Sequence, residues 1–299
     1  MVTMLFGRIQ IIMTSETITW NPWLGCHKVS TGCEFCQAKE FVRRNTKEFR
    51  LPVQKKRAKG KTEKYELNYK VKPGSIIRTC TMSDFFLIEA DSMRNEVWQF
   101  IHERYDCLFH IVTRRPERIA QCLPENWLAG WENVMISVAI EDTFSAYTKL
   151  PILLDLNKYN VKHLGISINP FIEDMDIMSF IGSGFIENVE ICGESYYGYD
   201  GLAREMRLSW VKKIVEQCKL FNINCDFIAT GTRLQLDNNL IISIRQNDQK
   251  GLAEFYKLNN LDENAVTNNW DTRAKEITDR VLIEQAHELY VALKRKGKI

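Results

Sequence analysis

Seven short runs of β-branched and aromatic residues recur along the chain, and their spacing constrains the fold more than any other feature. From the second run onward, they begin roughly 25–36 residues apart. That interval accommodates one strand and one crossover helix, as in a parallel βαβ unit. The runs are TITW (17–20), SIIRTC (75–80), CLFHIVT (107–113), NVMISVAI (133–140), VKHLGISI (161–168), NVEIC (188–192) and NCDFIAT (224–230). The spacing therefore predicts an α/β fold with parallel strands.

Helical patterns fill several of the gaps between these runs. Ser92 would open one helix with Val97 and Ile101 on its inner face, and Pro116 suits the first turn of a second. Ser209 would cap a third helix with an apolar stripe. Six or seven such units with right-handed crossovers favour a barrel over a flat sheet. We expect a partial (β/α)6–7 TIM-like barrel.

The barrel would occupy residues 16–231, interrupted by a basic segment at 43–72. Residues 1–15 are expected to be a disordered or extra N-terminal segment. Residues 232–299 would form a C-terminal extension, in which RLQL and LIISI flank Asp237-Asn238-Asn239 as a hairpin. The last 30 residues have the pattern of one helix.

The nine cysteines of this 299-residue chain bear on the cellular compartment of the protein. They follow no disulfide framework, and neither a cleavable leader nor a run of about 18 apolar residues is evident. The sequence therefore predicts a cytoplasmic protein with reduced thiols and no membrane contact.

Three of these cysteines form the cysteine loop, GCHKVSTGCEFCQA, directly after the first predicted strand. Cys26, Cys33 and Cys36 have the spacing C-x6-C-x2-C, and a glycine precedes each of the first two. Three thiolates leave a zinc site one ligand short, so zinc would need His27 or a distant cysteine. A four-iron cluster can leave its fourth iron open for a cofactor. Core packing is the third alternative, since a buried cysteine behaves as a small hydrophobe.

The order of strand, cysteine loop and repeated β/α units resembles the radical S-adenosylmethionine superfamily. More narrowly, the chain resembles an uncharacterised group of phage- and prophage-associated proteins that share the C-x6-C-x2-C spacing. The similarity spans roughly residues 16–258. The matching stretches are ITWNPWLGCHKVSTGCEFCQA (18–38), TMSDFF (81–86), IVTRRPERI (111–119), GISINP (165–170), ICGES (191–195) and ATGTRLQLDNN (229–239).

This resemblance implies an enzyme in which Cys26, Cys33 and Cys36 hold a [4Fe-4S] cluster. S-adenosylmethionine would bind the open iron. An electron from a donor protein would then release a 5′-deoxyadenosyl radical that abstracts a substrate hydrogen.

The resemblance also implies further site residues at the carboxyl ends of the strands, where β/α barrels build their sites. The expected cofactor contacts are Ser83, Asp84, Ser137, Glu141, Gly193 and Glu194. The expected substrate contacts are Arg114, Arg115 and Asn169. Some of these residues also have a structural interpretation. Ser83-Asp84 suits a helix cap, Glu194 suits a solvated position at the start of a loop, and Arg114 and Arg115 could pair with neighbouring acids such as Glu117.

Two positions depart from the group's pattern. The group commonly has an acidic residue where this chain has Asn169 before Pro170, and a Lys-Gln pair where it has Ala229-Thr230. Both changes would alter substrate recognition, and neither involves the predicted cluster ligands.

The basic segment suggests the substrate. Residues 43–72 contain twelve Lys/Arg and three Asp/Glu, a local charge of +9 in a chain whose net charge is +2. With Phe49, Tyr65 and Tyr69 interleaved, the segment suits phosphates and bases, so we expect an enzyme that modifies or repairs nucleic acid in a phage or mobile-element context. The alternatives are a small-molecule substrate, or a non-catalytic nucleic-acid- or protein-binding module stabilised by zinc or an iron–sulfur cluster.

Overall fold

The computed structural model describes residues 17–36, 38, 71–196 and 202–256, and the backbone of strands at 2–5, 8–11 and 53–54. Its strands are β1 Val2–Leu5, β2 Arg8–Ile11, β3 Thr17–Trp20, β4 Trp23–Leu24, β5 Val53–Gln54, β6 Ile76–Thr79, β7 Leu108–Thr113, β8 Val134–Ile140, β9 His163–Ile168, β10 Ile186–Cys192, β11 Met206–Arg207, β12 Asn224–Ala229, β13 Arg233–Gln235 and β14 Ile241–Ser243. Its helices are α1 Asp91–Glu103, α2 Thr143–Asp155, α3 Met178–Ile181, α4 Leu208–Leu220 and α5 Gln246–Phe255.

Seven parallel strands form one curled, half-barrel sheet in the order β12-β10-β9-β8-β7-β6-β3. All seven predicted runs are strands of this sheet, and the predicted α/β partial barrel is confirmed. Strands β3, β6, β7 and β8 pair in parallel along the chain order, with Trp20 opposite Thr79 and Thr79 opposite Ile111. The segments that follow β3, β6 and β7 therefore emerge side by side.

Two of the three helices predicted between the strands are present in the structure. Helix α1 begins one residue before Ser92 and buries Val97 and Ile101, and α4 begins one residue before Ser209. The segment after Pro116 is not an α-helix but short 3₁₀ turns at Pro116–Arg118 and Ala120–Cys122. The cause is Leu123, which precedes Pro124 and takes an extended conformation that ends the helical path.

The chain divides into two compact units. Unit 1 comprises residues 1–140, 144–167 and 183–187, and unit 2 comprises 141–143, 168–182 and 188–299. In unit 1, Trp98 lies in an aromatic cluster with Phe85, Trp127 and Trp131, at centroid distances of 4.7, 5.7 and 5.7 Å.

Unit 2 has its own core and contains the predicted hairpin. Phe171, Val189, Ile214 and Phe227 are buried in it. Strands β13 and β14 pair antiparallel, with Leu234 opposite Ile242, which confirms the hairpin. The helix predicted for the last 30 residues lies outside the described part of the chain.

Strands β1 and β2, within the N-terminal segment, pair antiparallel with each other. Of the helices in the described part of the chain, none has the length and apolar character needed to cross a membrane.

Candidate functional site

The cysteine loop begins just after β4 and is fastened to the segment that follows β6. The Gly25 amide donates to the Met82 carbonyl at 3.3 Å, and the Ser83 hydroxyl donates to the Gly25 carbonyl at 2.5 Å. Gly25 has φ of +100°, a left-handed conformation that glycine adopts without strain. Ser83, a predicted cofactor contact, therefore holds the start of the loop.

Two side chains ahead of the loop strengthen this attachment. The buried Asn21 accepts a hydrogen bond from the Met82 amide at 2.7 Å, and its own amide donates to Thr81 at 3.3 Å. The fully buried Trp23 donates from its indole nitrogen to the Asp84 carbonyl at 3.1 Å. The path from β3 into the cysteine loop is thus fixed by bonds to residues 81–84.

Asp84 is the central acceptor of the site. Its Oδ1 accepts from the Phe86 amide at 2.9 Å and the Thr113 hydroxyl at 2.8 Å. Its Oδ2 accepts from the Arg114 amide at 3.0 Å and pairs with Arg115 Nη1 at 2.9 Å. A carboxylate has about four acceptor positions, so this buried side chain is fully committed to joining the ends of β6 and β7.

Arg115 connects Asp84 to the first cysteine. Besides its ion pair with Asp84, the buried guanidinium lies 3.5 Å from Cys26 Sγ and donates to the His27 carbonyl at 3.0 Å. Its acidic partner is thus Asp84, not the neighbouring Glu117. Arg115 faces the cysteine loop, although the resemblance assigned it to the substrate.

Arg114 lies near the second cysteine of the loop. Its guanidinium covers Gly32, where an added Cβ would lie 2.6 Å from Arg114 Nη1. Burial raises the pKa of the Cys33 thiol, but the Arg114 charge and hydrogen bonds with Val29 and Ser30 outweigh it, so the pKa lies below its ordinary value. Arg114 therefore favours the Cys33 thiolate.

Cys26 has the opposite character. Burial raises the pKa of its thiol to about 11, against the lowering effect of Arg115, and the charges of Asp84 and Cys33 raise it further. Cys26, Cys33 and Cys36 are all half-buried free thiols.

The arrangement of these residues bears on the metal group that the resemblance implies. Within the described ranges, no three His, Cys, Asp or Glu side chains are arranged to hold one metal ion. His27, the candidate fourth zinc ligand, pairs through Nε2 with Glu89. In a four-iron cluster each thiolate binds a different iron, so its ligands do not converge on one ion as they do around zinc. Cys26 and Cys33 each have a guanidinium nearby that offsets thiolate charge, and Cys36 is the third half-buried thiol of the loop. This donor set fits the chemistry of such a cluster.

Ser137 lies apart from this network, within β8. Its fully buried hydroxyl is 2.7 Å from Nε2 of His110 on the neighbouring strand β7. Sequence reasoning did not single out His110, and the only signal was a polar residue inside the apolar run CLFHIVT. The pair forms a polar contact inside unit 1.

The remaining predicted residues belong to unit 2. The buried Glu194 accepts from the Arg204 amide at 2.8 Å and from its Nε at 2.9 Å, and Nη2 pairs with the other carboxylate oxygen. Gly193 lies against the backbone after β12, where an added Cβ would be 2.3 Å from the Thr230 carbonyl. The close approach that requires this glycine is thus to the chain itself.

Glu141 and Asn169 follow two other strands. Glu141 is buried at the end of β8, and its carbonyl accepts from the Ile172 amide at 3.2 Å. Asn169 is exposed after β9 and precedes Pro170 through a cis peptide bond. At the other departure from the group's pattern, the Thr230 hydroxyl is buried and donates to the Gly231 carbonyl at 3.1 Å.

Most of the basic segment, residues 43–70, lies outside the described residues apart from the backbone of β5. Strand β5 pairs antiparallel with β4, with Trp23 opposite Gln54 and Leu24 opposite Val53. This pairing attaches the basic segment to the residues that lead into Cys26.

Comparison with known proteins gives a family for the chain and no function. Residues 10–288 match the model of a family described as protein of unknown function (DUF5131). No curated protein and no solved structure matches the chain.

Proposed function

The chain belongs to the DUF5131 family, and we propose that it is a radical S-adenosylmethionine enzyme whose Cys26, Cys33 and Cys36 hold a [4Fe-4S] cluster. The observation that carries the proposal is the cysteine loop itself. It follows the first strand of a parallel α/β sheet, it is fastened to the segment after β6, and arginines from the end of β7 approach two of its thiols.

The surrounding residues prepare the loop for an anionic group. Asn21, Trp23 and Ser83 fix the start of the loop through protein contacts. Arg114 and Arg115 bring two positive charges beside Cys33 and Cys26. These charges offset the negative charge that three thiolates collect in a half-buried place. A cluster bound there would supply the electron that cleaves S-adenosylmethionine to a 5′-deoxyadenosyl radical.

We propose nucleic acid as the substrate class, modified or repaired in the cytoplasm in a phage or mobile-element context. Support comes from the local charge of +9 at residues 43–72 and from the β4–β5 pairing, which attaches this segment to the strand before Cys26. Basic side chains would neutralise phosphates near the site. Only the sequence resemblance supports the phage context. A separate protein would donate the electron to the cluster.

Metal content and cofactor cleavage test the proposal. Anaerobically reconstituted protein is expected to be brown, to contain iron and inorganic sulfide, and to form 5′-deoxyadenosine from S-adenosylmethionine with a strong reductant. The triple variant Cys26→Ala/Cys33→Ala/Cys36→Ala should fold and lose both iron and product.

The matched control is Cys192→Ala, which removes a half-buried cysteine from β10 and should retain iron. Full iron and sulfide in the triple variant would contradict the ligand assignment. A colourless zinc protein would instead favour a non-catalytic, metal-stabilised binding module.

A further inference from the structure

The guanidinium of Arg115 makes three contacts that the proposed chemistry does not by itself explain. Nη1 lies 2.9 Å from Asp84 Oδ2 and 3.5 Å from Cys26 Sγ, and Nη2 lies 3.0 Å from the His27 carbonyl. The Arg115 side chain is 8% exposed and that of Asp84 is 5% exposed. A guanidinium so enclosed has little surface for a substrate, and it lies between the carboxylate of Asp84 and the thiol of Cys26.

We infer that Arg115, oriented by Asp84, is a positioning residue for the Cys26 ligand and that the two together set the reduction potential of the cluster. This inference rests on the proposed function, because it concerns the ligand that Cys26 would provide. Residues that contact metal ligands fix their orientation and tune the metal.

The direction of each residue's effect follows from its charge. Hydrogen bonds to the ligand sulfurs and the local net charge are among the factors that set the potential of an iron–sulfur cluster. A cation near Cys26 stabilises the more negative, reduced state and therefore raises the potential. The Asp84 carboxylate, 2.9 Å from Arg115, partly cancels that cation and therefore lowers it.

Opposite substitutions of the two partners separate this role from a merely structural one. Arg115→Met removes the cation and the hydrogen bond to Cys26, and should shift the midpoint potential to more negative values. Asp84→Asn keeps a side chain that accepts from Thr113 but removes the negative charge, and should shift the potential to more positive values. Both variants break the same buried ion pair, so loss of structure alone predicts no such difference in sign.

The experiment is a redox titration of the reconstituted full chain, followed by the electron paramagnetic resonance signal of the reduced cluster, with thermal unfolding to confirm folding. If Arg115→Met does not fold, Arg115→Lys replaces it, because an ammonium can still pair with Asp84 but has no planar fork to reach Cys26 and His27 as well. It should give a negative shift too.

Arg118→Met is the matched control, since Arg118 binds Asp91 and the Phe86 carbonyl and, among the described residues, forms no bond to the cysteine loop. It should leave the potential unchanged. Unchanged potentials in the Arg115 and Asp84 variants, shifts of the same sign, or an equal shift in the control would overturn the inference and leave the proposed function intact. Parent protein that takes up no iron would overturn both.

Discussion

At the scale of single residues, two adjacent arginines act on two different cysteines of the loop. Arg115 contacts Cys26 Sγ, and Arg114 covers Gly32 and lowers the pKa of Cys33. Burial raises the pKa of both thiols, but at Cys33 the Arg114 charge and hydrogen bonds within the loop together outweigh it, whereas at Cys26 burial prevails over Arg115. The loop therefore contains one thiol that ionises readily and one that does not.

This difference predicts the order in which the metal-free thiols react. At pH 8, Cys26 with a pKa of about 11 stays protonated, whereas Cys33, whose pKa lies below its ordinary value, has a larger thiolate fraction. Because the thiolate is the nucleophile, iodoacetamide should modify Cys33 at least about tenfold faster, and the rate at Cys33 should fall as the pH is lowered. Peptide mass spectrometry measures both rates. Arg114→Gln should slow Cys33 alone, and equal rates in the parent protein would contradict the prediction.

Glu194 illustrates a buried charge with a complete set of partners. Its side chain is 3% exposed and is held by the backbone and side chain of Arg204. Arg204→Gln should lower the free energy of unfolding by about 2 kcal/mol, since it removes a charged donor from a buried carboxylate. Urea denaturation measures the change. Lys250→Gln, whose side chain is 76% exposed, should change stability by less than about 0.5 kcal/mol.

At the scale of elements, the sequence predicted the positions of the strands more fully than it predicted the side-chain contacts between them. All seven strands were predictable because each is a short β-branched run, and from β6 onward the chain between one strand and the next has the length of a crossover. The partners of Asp84 were not predictable, because Thr113 and Arg115 come beside it only through the pairing of β6 with β7. The cysteine spacing identified the loop, but no local pattern showed that Arg115, 89 residues after Cys26, and its neighbour Arg114 would contact it.

The aromatic cluster of unit 1 also escaped the sequence analysis, and its energy can be tested at Trp98. This side chain in α1 is 1% exposed, packs on Phe85 and Trp127, and donates to the Cys122 carbonyl at 2.8 Å. Trp98→Ala should destabilise the protein by about 3–5 kcal/mol, since it leaves a large cavity and an unpaired carbonyl. Thermal unfolding measures the loss. Tyr105→Ala, at a side chain 81% exposed, should have little effect.

At the scale of the whole molecule, charge is unevenly distributed. The segment at 43–72 has a charge of +9 while the chain as a whole has +2, so the remainder is acidic by about seven charges. An acidic body repels a phosphate backbone, and the basic segment attracts it. Binding of nucleic acid to this chain should therefore depend on the basic segment.

Salt dependence tests this expectation. If residues 43–72 contact phosphates, the log–log slope of affinity against salt should be about −0.7 to −0.9 per phosphate neutralised. Replacing Lys55, Lys56 and Arg57 with glutamine should make the slope shallower without loss of iron. Replacing Lys212, Lys213 and Lys219 of α4, each paired with an acid, is the matched control and should leave it unchanged. Labelled single- and double-stranded oligonucleotides at two salt concentrations provide the measurement, and no binding at the lower salt would favour a small-molecule substrate.

The close contact of Gly193 with the chain after β12 has a consequence for how this family varies. An added Cβ at Gly193 would lie 2.3 Å from the Thr230 carbonyl, and one at Gly231 would lie 2.6 Å from the Gly193 carbonyl carbon. Gly231 also has φ of +71°. Each glycine is already the smallest residue, so a substitution at one leaves no compensating change available at the other. The two positions should therefore be conserved together. Family members that keep this close backbone contact should keep both glycines while the residues of the surrounding strands diverge.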